Sequence, residues 1–145
     1  MIKILFICHG NICRSPTAEF VMKDLVAKKG VESKFLIESA ATSSEEIGCD
    51  MYWPAKSKLK EKGIPFTRRK ARQVRSDEYD KWDYIFGMDD ANVRNLKHLF
   101  HGDPENKVHY LLDNRSVSDP WYTGNFERAF NDIKTGCEIW LERLL

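Results

Sequence analysis

Within its first thirty residues the chain runs from an apolar strand through a short polar loop into an amphipathic helix, and this order constrains the fold more than any other feature. Ile2 to Ile7 is a compact isoleucine-rich run, the pattern of a strand buried on both faces. Cys8-His9-Gly10-Asn11-Ile12-Cys13-Arg14-Ser15 follows as a turn-like stretch, and Pro16 suits the first turn of a helix. Ala18, Val21, Met22, Leu25 and Val26 then share one helical face, with Gly30 as the expected C-cap.

The alternation continues to the end of the chain. Phe35-Leu36-Ile37 reads as a second strand, and a polar loop is expected from about Ala40 to Trp53. Pro54 to Lys62 reads as a helix stopped by Gly63, and Asp83 to Met88 as a third strand. Asp89-Asp90 opens a helix carrying Val93, Leu96 and Leu99, and Val108 to Leu112 is a fourth strand. Phe126, Phe130, Ile133, Cys137, Trp140 and Leu144 recur at alternating steps of four and three, the signature of a last amphipathic helix. Alternating strands and helices predict an α/β fold: a four-stranded parallel sheet with helices on both faces, doubly wound and Rossmann-like. Such sheets bind ligands at the carboxyl ends of their strands, which is where the Cys8 loop leaves the first strand. Without repeats, low-complexity tracts or linkers, residues 1–145 read as one domain.

Charge directs attention to a local site. With 23 basic and 22 acidic residues the net charge is +1, which gives no general reason to expect nucleic acid or a membrane surface as partner. No stretch approaches a membrane span, and the first apolar run is too short for a signal segment. Cys8, Cys13, Cys49 and Cys137 form no C-x-x-C pair, and a chain of 145 residues does not need disulfide staples, so a cytoplasmic, reducing setting is expected, while the modest size favours a monomer.

Cys8 to Arg14 has the form C-x5-R. A loop of this length can wrap a tetrahedral anion with its backbone N–H groups turned inward, while Arg14 offers a planar fork to two oxygens. Because the loop opens a helix, its amides add the positive end of the helix dipole. Gly10 relaxes the backbone, and Asn11 tolerates a left-handed conformation. The same features favour Cys8 as a thiolate, with Ser15 placed to donate a hydrogen bond to the sulfur. Alone, C-x5-R is a weak signal, and a strand could simply end in an inert buried cysteine; the strand–loop–helix context makes the motif informative. His9 with Cys8 and Cys13 has no fourth residue at metal-ligand spacing.

Cys8-His9-Gly10-Asn11-Ile12-Cys13-Arg14-Ser15-Pro16 resembles the phosphate-binding loop of low-molecular-weight protein-tyrosine phosphatases. The resemblance extends through Ser39-Ala40-Ala41, Ala71-Arg72-Gln73, Asp83-Tyr84-Ile85 and Met88-Asp89 to Asp119-Pro120-Trp121-Tyr122, which is similar to the family's Asp-Pro-aromatic-aromatic loop. It implies the phosphotyrosine phosphatase I-like fold and a protein-tyrosine phosphatase with accompanying acid phosphatase activity. The implied partner is a phosphotyrosine-containing protein, the product is inorganic phosphate, and neither cofactor nor metal is needed. Catalysis would rest on Cys8 as nucleophile, Arg14, and Asp119 as general acid and then base. His9, Gly10, Asn11, Ile12, Cys13 and Ser15 would bind phosphate.

Asp119 has its own logic. A phenolate leaves more readily when protonated, and a carboxylic acid can supply the proton. Pro120 holds Asp119 extended, and Trp121 and Tyr122 can wall a slot for an aromatic ring. The resemblance further implies that Asn11, Ser15 and Ser39 brace the loop, and that Cys13 can protect Cys8 through a reversible disulfide. Two departures stand out. Arg69 replaces a histidine found in some members, and Glu45 replaces a tryptophan that often walls the cleft; Tyr52 or Trp53 could substitute for that wall. Arg68, Arg69, Lys70, Arg72 and Arg75 otherwise read as a solvated basic cluster. Other readings of the fold are a thiol-dependent arsenate reductase, a phosphoarginine phosphatase, and a non-catalytic phosphate-binding or redox-sensing module. The first needs relay cysteines, which residues 70 to 100 lack; the second typically carries Thr in place of Ile12.

Overall fold

A computed structural model describes all residues from Met1 to Leu145. Four strands, β1 (Ile2–Cys8), β2 (Phe35–Ala41), β3 (Tyr84–Gly87) and β4 (Val108–Tyr110), form one sheet in the order β2-β1-β3-β4. All three pairings are parallel. Five helices complete the fold: α1 (Arg14–Lys28), α2 (Trp53–Glu61), α3 (Asp90–Leu99), α4 (Pro120–Thr123) and α5 (Phe126–Leu144). No helix is long and apolar enough to cross a membrane.

Strand periodicity explains why β1 is apolar throughout. Ile4, Phe6 and Cys8 enter one core cluster, shared with α1, α2 and α5, while Leu5 and Ile7 enter a second beneath α3. Successive side chains point to opposite faces, and helices cover both, so every position from Ile4 to Cys8 is buried. Because β1 lies centrally, between β2 and β3, the Cys8 loop emerges where the strand order reverses, at a crevice suited to a ligand.

Several boundaries differ from the sequence-based expectation, each for a tertiary reason. β2 runs on to Ala41 because Ala40 and Ala41 pair with Ile7 and Cys8, and Ala41 also bonds residues 72 to 74. The loop therefore starts later than Ala40. β4 ends at Tyr110, and Leu111 and Leu112 are instead buried against the helical layer. α1 begins at Arg14, two residues before Pro16, because an N–H in the first helical turn has no intrahelical partner to lose. α4 and the 3-10 turn at Ser76–Lys81 carry no apolar periodicity and are visible only in three dimensions.

Gly136 lets α5 lie tight against Leu111: a Cβ there would lie 2.6 Å from Leu111 Cγ and 3.1 Å from its carbonyl oxygen.

Candidate active site

The carbonyl groups of the Cys8 loop are tied outward. Cys8 O accepts from Thr42 N at 3.1 Å, His9 O from Ser43 N at 3.1 Å, Ile12 O from Tyr52 N at 2.9 Å, and Cys13 O from Thr17 Oγ1 at 2.7 Å. The N–H groups of His9, Gly10, Ile12 and Cys13 make no hydrogen bond within the protein. A loop so anchored keeps its donors for an anion.

Cys8 Sγ sits at the floor of this ring. It lies 3.0 Å from Ser15 Oγ and accepts the Asn11 N–H at 3.3 Å. Asn11 adopts φ 59° and is fully buried. Its Nδ2 donates to Ser15 Oγ at 2.9 Å and to Ser39 Oγ at 3.0 Å, and Ser39 in turn donates to Glu19 at 2.6 Å. Asn11 Oδ1 accepts from Arg69 Nη2 and from Arg72 N, the latter at 3.1 Å. One residue thus links the loop to α1, to β2 and to the segment after α2.

The Asn11 and Ser15 side chains are occupied in this network and do not line the cleft. Two expectations about the basic cluster need correction. Arg69 is not a solvated member of the basic cluster; its guanidinium turns inward to Asn11, and burial lowers its pKa. Arg72 is likewise drawn in, donating to the buried Glu78 at 3.0 Å.

Arg14 is only 4% exposed and lines the cleft, but its fork is not wholly free. Nη1 donates to Val117 O at 3.2 Å, and Nη2 donates to Asp89 at 2.9 Å and to Asp119 at 3.2 Å. Nε and the second Nη1 hydrogen remain among the five guanidinium donors. Asp89 N-caps α3 through Asn92 N, so the same carboxylate fixes a helix start and aims Arg14.

Asp119 lies across the cleft from the sulfur loop. It caps α4 in extended geometry, with Oδ1 accepting from Trp121 N at 3.1 Å. Its loop hangs on a few ties: Val117 N donates to Met88 O at 2.8 Å, Ser118 N donates to Asp132 Oδ2 at 3.0 Å, and Arg115 grips both Asp132 oxygens at 2.8 and 2.6 Å.

The cleft between these loops holds about 260 Å³ and is also lined by His9, Gly10, Ile12, Cys13, Glu45, Glu46, Trp121 and Tyr122. Trp121 and Tyr122 are 56% and 84% exposed, free to cover a flat ring at the mouth. Glu45 stands opposite, 2.9 Å from His9 Nε2. Neither Tyr52 nor Trp53 lines the cleft; Tyr52 backs Trp121 instead, with ring centroids 5.1 Å apart. Cys13 borders the pocket as a free thiol, its pKa pushed up to about 12 first by burial and then by the negative charge of Cys8. The structure holds no group of three His, Cys, Asp or Glu residues arranged to take a metal ion.

Glu46, Asp132 and the Val117 carbonyl belong to no motif in the sequence. Asp89 is marked there through the resemblance at Met88-Asp89, and it stands just beyond the carboxyl end of a central strand, where ligand-facing residues concentrate.

Residues 3–145 match the family model described as low molecular weight phosphotyrosine protein phosphatase. The chain is 42% identical over 144 residues to the low molecular weight protein-tyrosine-phosphatase YfkJ of Bacillus subtilis, covering 95% of this chain and 92% of the relative. It is 39% identical over 150 residues to the low molecular weight phosphotyrosine protein phosphatase of Gallus gallus, covering 97% and 94%. The crystal structure of a Streptococcus pyogenes low molecular weight protein tyrosine phosphatase superposes with a TM-score of 0.93 at 39% identity, covering all of this chain and 94% of the other.

Proposed function

The chain belongs to the low molecular weight phosphotyrosine protein phosphatase family, and we propose that it hydrolyses phosphotyrosine monoesters through Cys8, Arg14 and Asp119. The observation carrying this reading is the setting of Cys8 Sγ, 3.0 Å from Ser15 Oγ and 3.3 Å from Asn11 N, in a cleft that Arg14 and Asp119 also line.

The sulfur attacks phosphorus in line. The S–P bond forms as the bond to the phenolic oxygen breaks, and protonated Asp119 gives its proton to that oxygen. The unpaired loop N–H groups and the remaining Arg14 donors bind the equatorial oxygens of the transferring group. Asp119, now a carboxylate, then takes a proton from water as the water attacks phosphorus. The S–P bond breaks, inorganic phosphate departs, and the Ser15 hydroxyl supports the returning thiolate. Backbone and guanidinium supply the positive charge this path requires.

The implied partner is a phosphotyrosine-bearing protein, whose ring Trp121 and Tyr122 would flank. All four cysteines are free, which suits a chemistry needing reduced Cys8 and a reducing compartment such as the cytoplasm. We further assign residues 1–145 to one domain acting as a monomer.

Hydrolysis of para-nitrophenyl phosphate without added metal tests the proposal. Cys8→Ser should abolish turnover, and Asp119→Ala should lower it by roughly 10²–10⁴-fold, the usual worth of general acid–base catalysis. An inactive wild-type protein that binds phosphate tightly would support the binding-module reading instead.

A further inference from the structure

Between Asp113 and Asp119 the chain has no regular secondary structure, yet it must carry the acid to the cleft. Besides the Arg14 bond to Asp119 itself and the Arg143 pair at Asp113, two anchors hold it. One is the Val117 peptide, whose N–H meets Met88 O and whose carbonyl meets Arg14. The other is Asp132, which projects from the second turn of α5 and is only 5% exposed.

A carboxylate buried to this extent needs partners, and Asp132 has three: Arg115 Nη1 at 2.8 Å, Arg115 Nη2 at 2.6 Å and Ser118 N at 3.0 Å. All three lie on the acid loop, and Ser118 directly precedes Asp119. The bidentate fork fixes direction as well as distance. Helix α5 packs along α1, and α1 opens with Arg14, so the clasp references Asp119 to the same rigid layer that carries the phosphate loop.

We propose that Asp132 is a positioning residue for the general-acid step, clasping Arg115 and Ser118 so that Asp119 reaches the leaving oxygen. This rests on the phosphatase reading above. Asp132 touches neither substrate nor reacting atoms; it acts through the loop. Its carboxylate stays charged in this role: burial works against the charge, but the Arg115 fork and the Ser118 N–H outweigh it and lower the pKa.

Leaving-group dependence separates positioning from simple structural support. Loss of a proton donor slows esters of poor leaving groups and spares those that depart unprotonated. Misplacing a reacting group by about 1 Å can cost on the order of 10²-fold. Asp132→Asn should therefore lower kcat/KM for phenyl phosphate roughly ten- to hundredfold while changing that for 2,4-dinitrophenyl phosphate less than about threefold. Arg115→Gln, at a half-exposed side chain whose loss leaves the Ser118 bond, should give the same selectivity at smaller size, and Arg115→Lys should recover part of it. Thermal melting of each variant accompanies the kinetics, and Arg115→Gln keeps the test open should Asp132→Asn fail to fold. Equal losses on both esters, or no loss on either, would overturn the assignment of Asp132 and leave the phosphatase reading intact. A wild-type protein that turned over neither ester would overturn both.

Discussion

Asn11 offers a way to weigh the brace beneath the phosphate loop, because two substitutions separate its side-chain bonds from its backbone. Asn11→Ala and Asn11→Gly both delete the amide. Ser15 keeps Cys8 and Ala40 as neighbours, and Ser39 keeps Glu19, so neither hydroxyl is stranded. Arg72 N and Arg69 Nη2 lose their acceptor inside the protein. Arg69 Nη1 is already buried without a partner, which leaves that guanidinium little to fall back on. Two stranded donors at about 1–3 kcal/mol each suggest a loss of about 3 kcal/mol common to both variants. Alanine adds the cost of holding φ 59°, about 1 kcal/mol beyond glycine. For a chain of this size 1 kcal/mol moves Tm by about 3 °C, so Asn11→Gly should melt about 9 °C below wild type and Asn11→Ala about 12 °C below. Melting followed by circular dichroism at pH 7 measures both. Variants within about 2 °C of wild type, or an alanine variant as stable as the glycine one, would refute the reasoning.

Other consequences follow from packing and charge. Gly136→Ala should cost about 1–3 kcal/mol through overpacking against Leu111, and Leu111→Ala in the same chain should cost less in that background than alone, as a double-mutant melting cycle would read. Asp50 is lowered to about 2: partial burial opposes this, but Lys56 and the N–H groups of Met51 and Arg69 outweigh it. Its folded pKa lies below its unfolded one, so its stabilisation is complete above about pH 4 and is lost as pH falls through about 2. Urea titrations between pH 2 and pH 6 should show that loss in wild type and a shallower decline in Asp50→Asn. Iodoacetamide at pH 8 should label exposed Cys49 and spare Cys13 and Cys137, whose thiols burial pushes up, as mass spectrometry of tryptic peptides would record.

The phosphate loop is legible in the chain because its parts are contiguous. An apolar strand, seven residues and a helix suffice to aim amides and a guanidinium at one point, and local geometry carries that over a single turn. The parallel sheet follows in the same way from alternating periods of two and of 3.6. Asp119 is different, since no spacing rule connects it to Cys8; only the resemblance of the Asp-Pro-aromatic-aromatic segment singles it out in the sequence. What completes the site was decided by folding alone. Arg69 turns inward because the core offers it Asn11, and Asp89 takes Arg14 because β1 and β3 are neighbours. Asp132 reaches the acid loop because α5 brings it within hydrogen-bond distance of Arg115 and Ser118. Each is a polar side chain whose role is set by a partner distant in sequence, and a one-dimensional pattern records which residues are apolar and how often, not which charges will be shut in together.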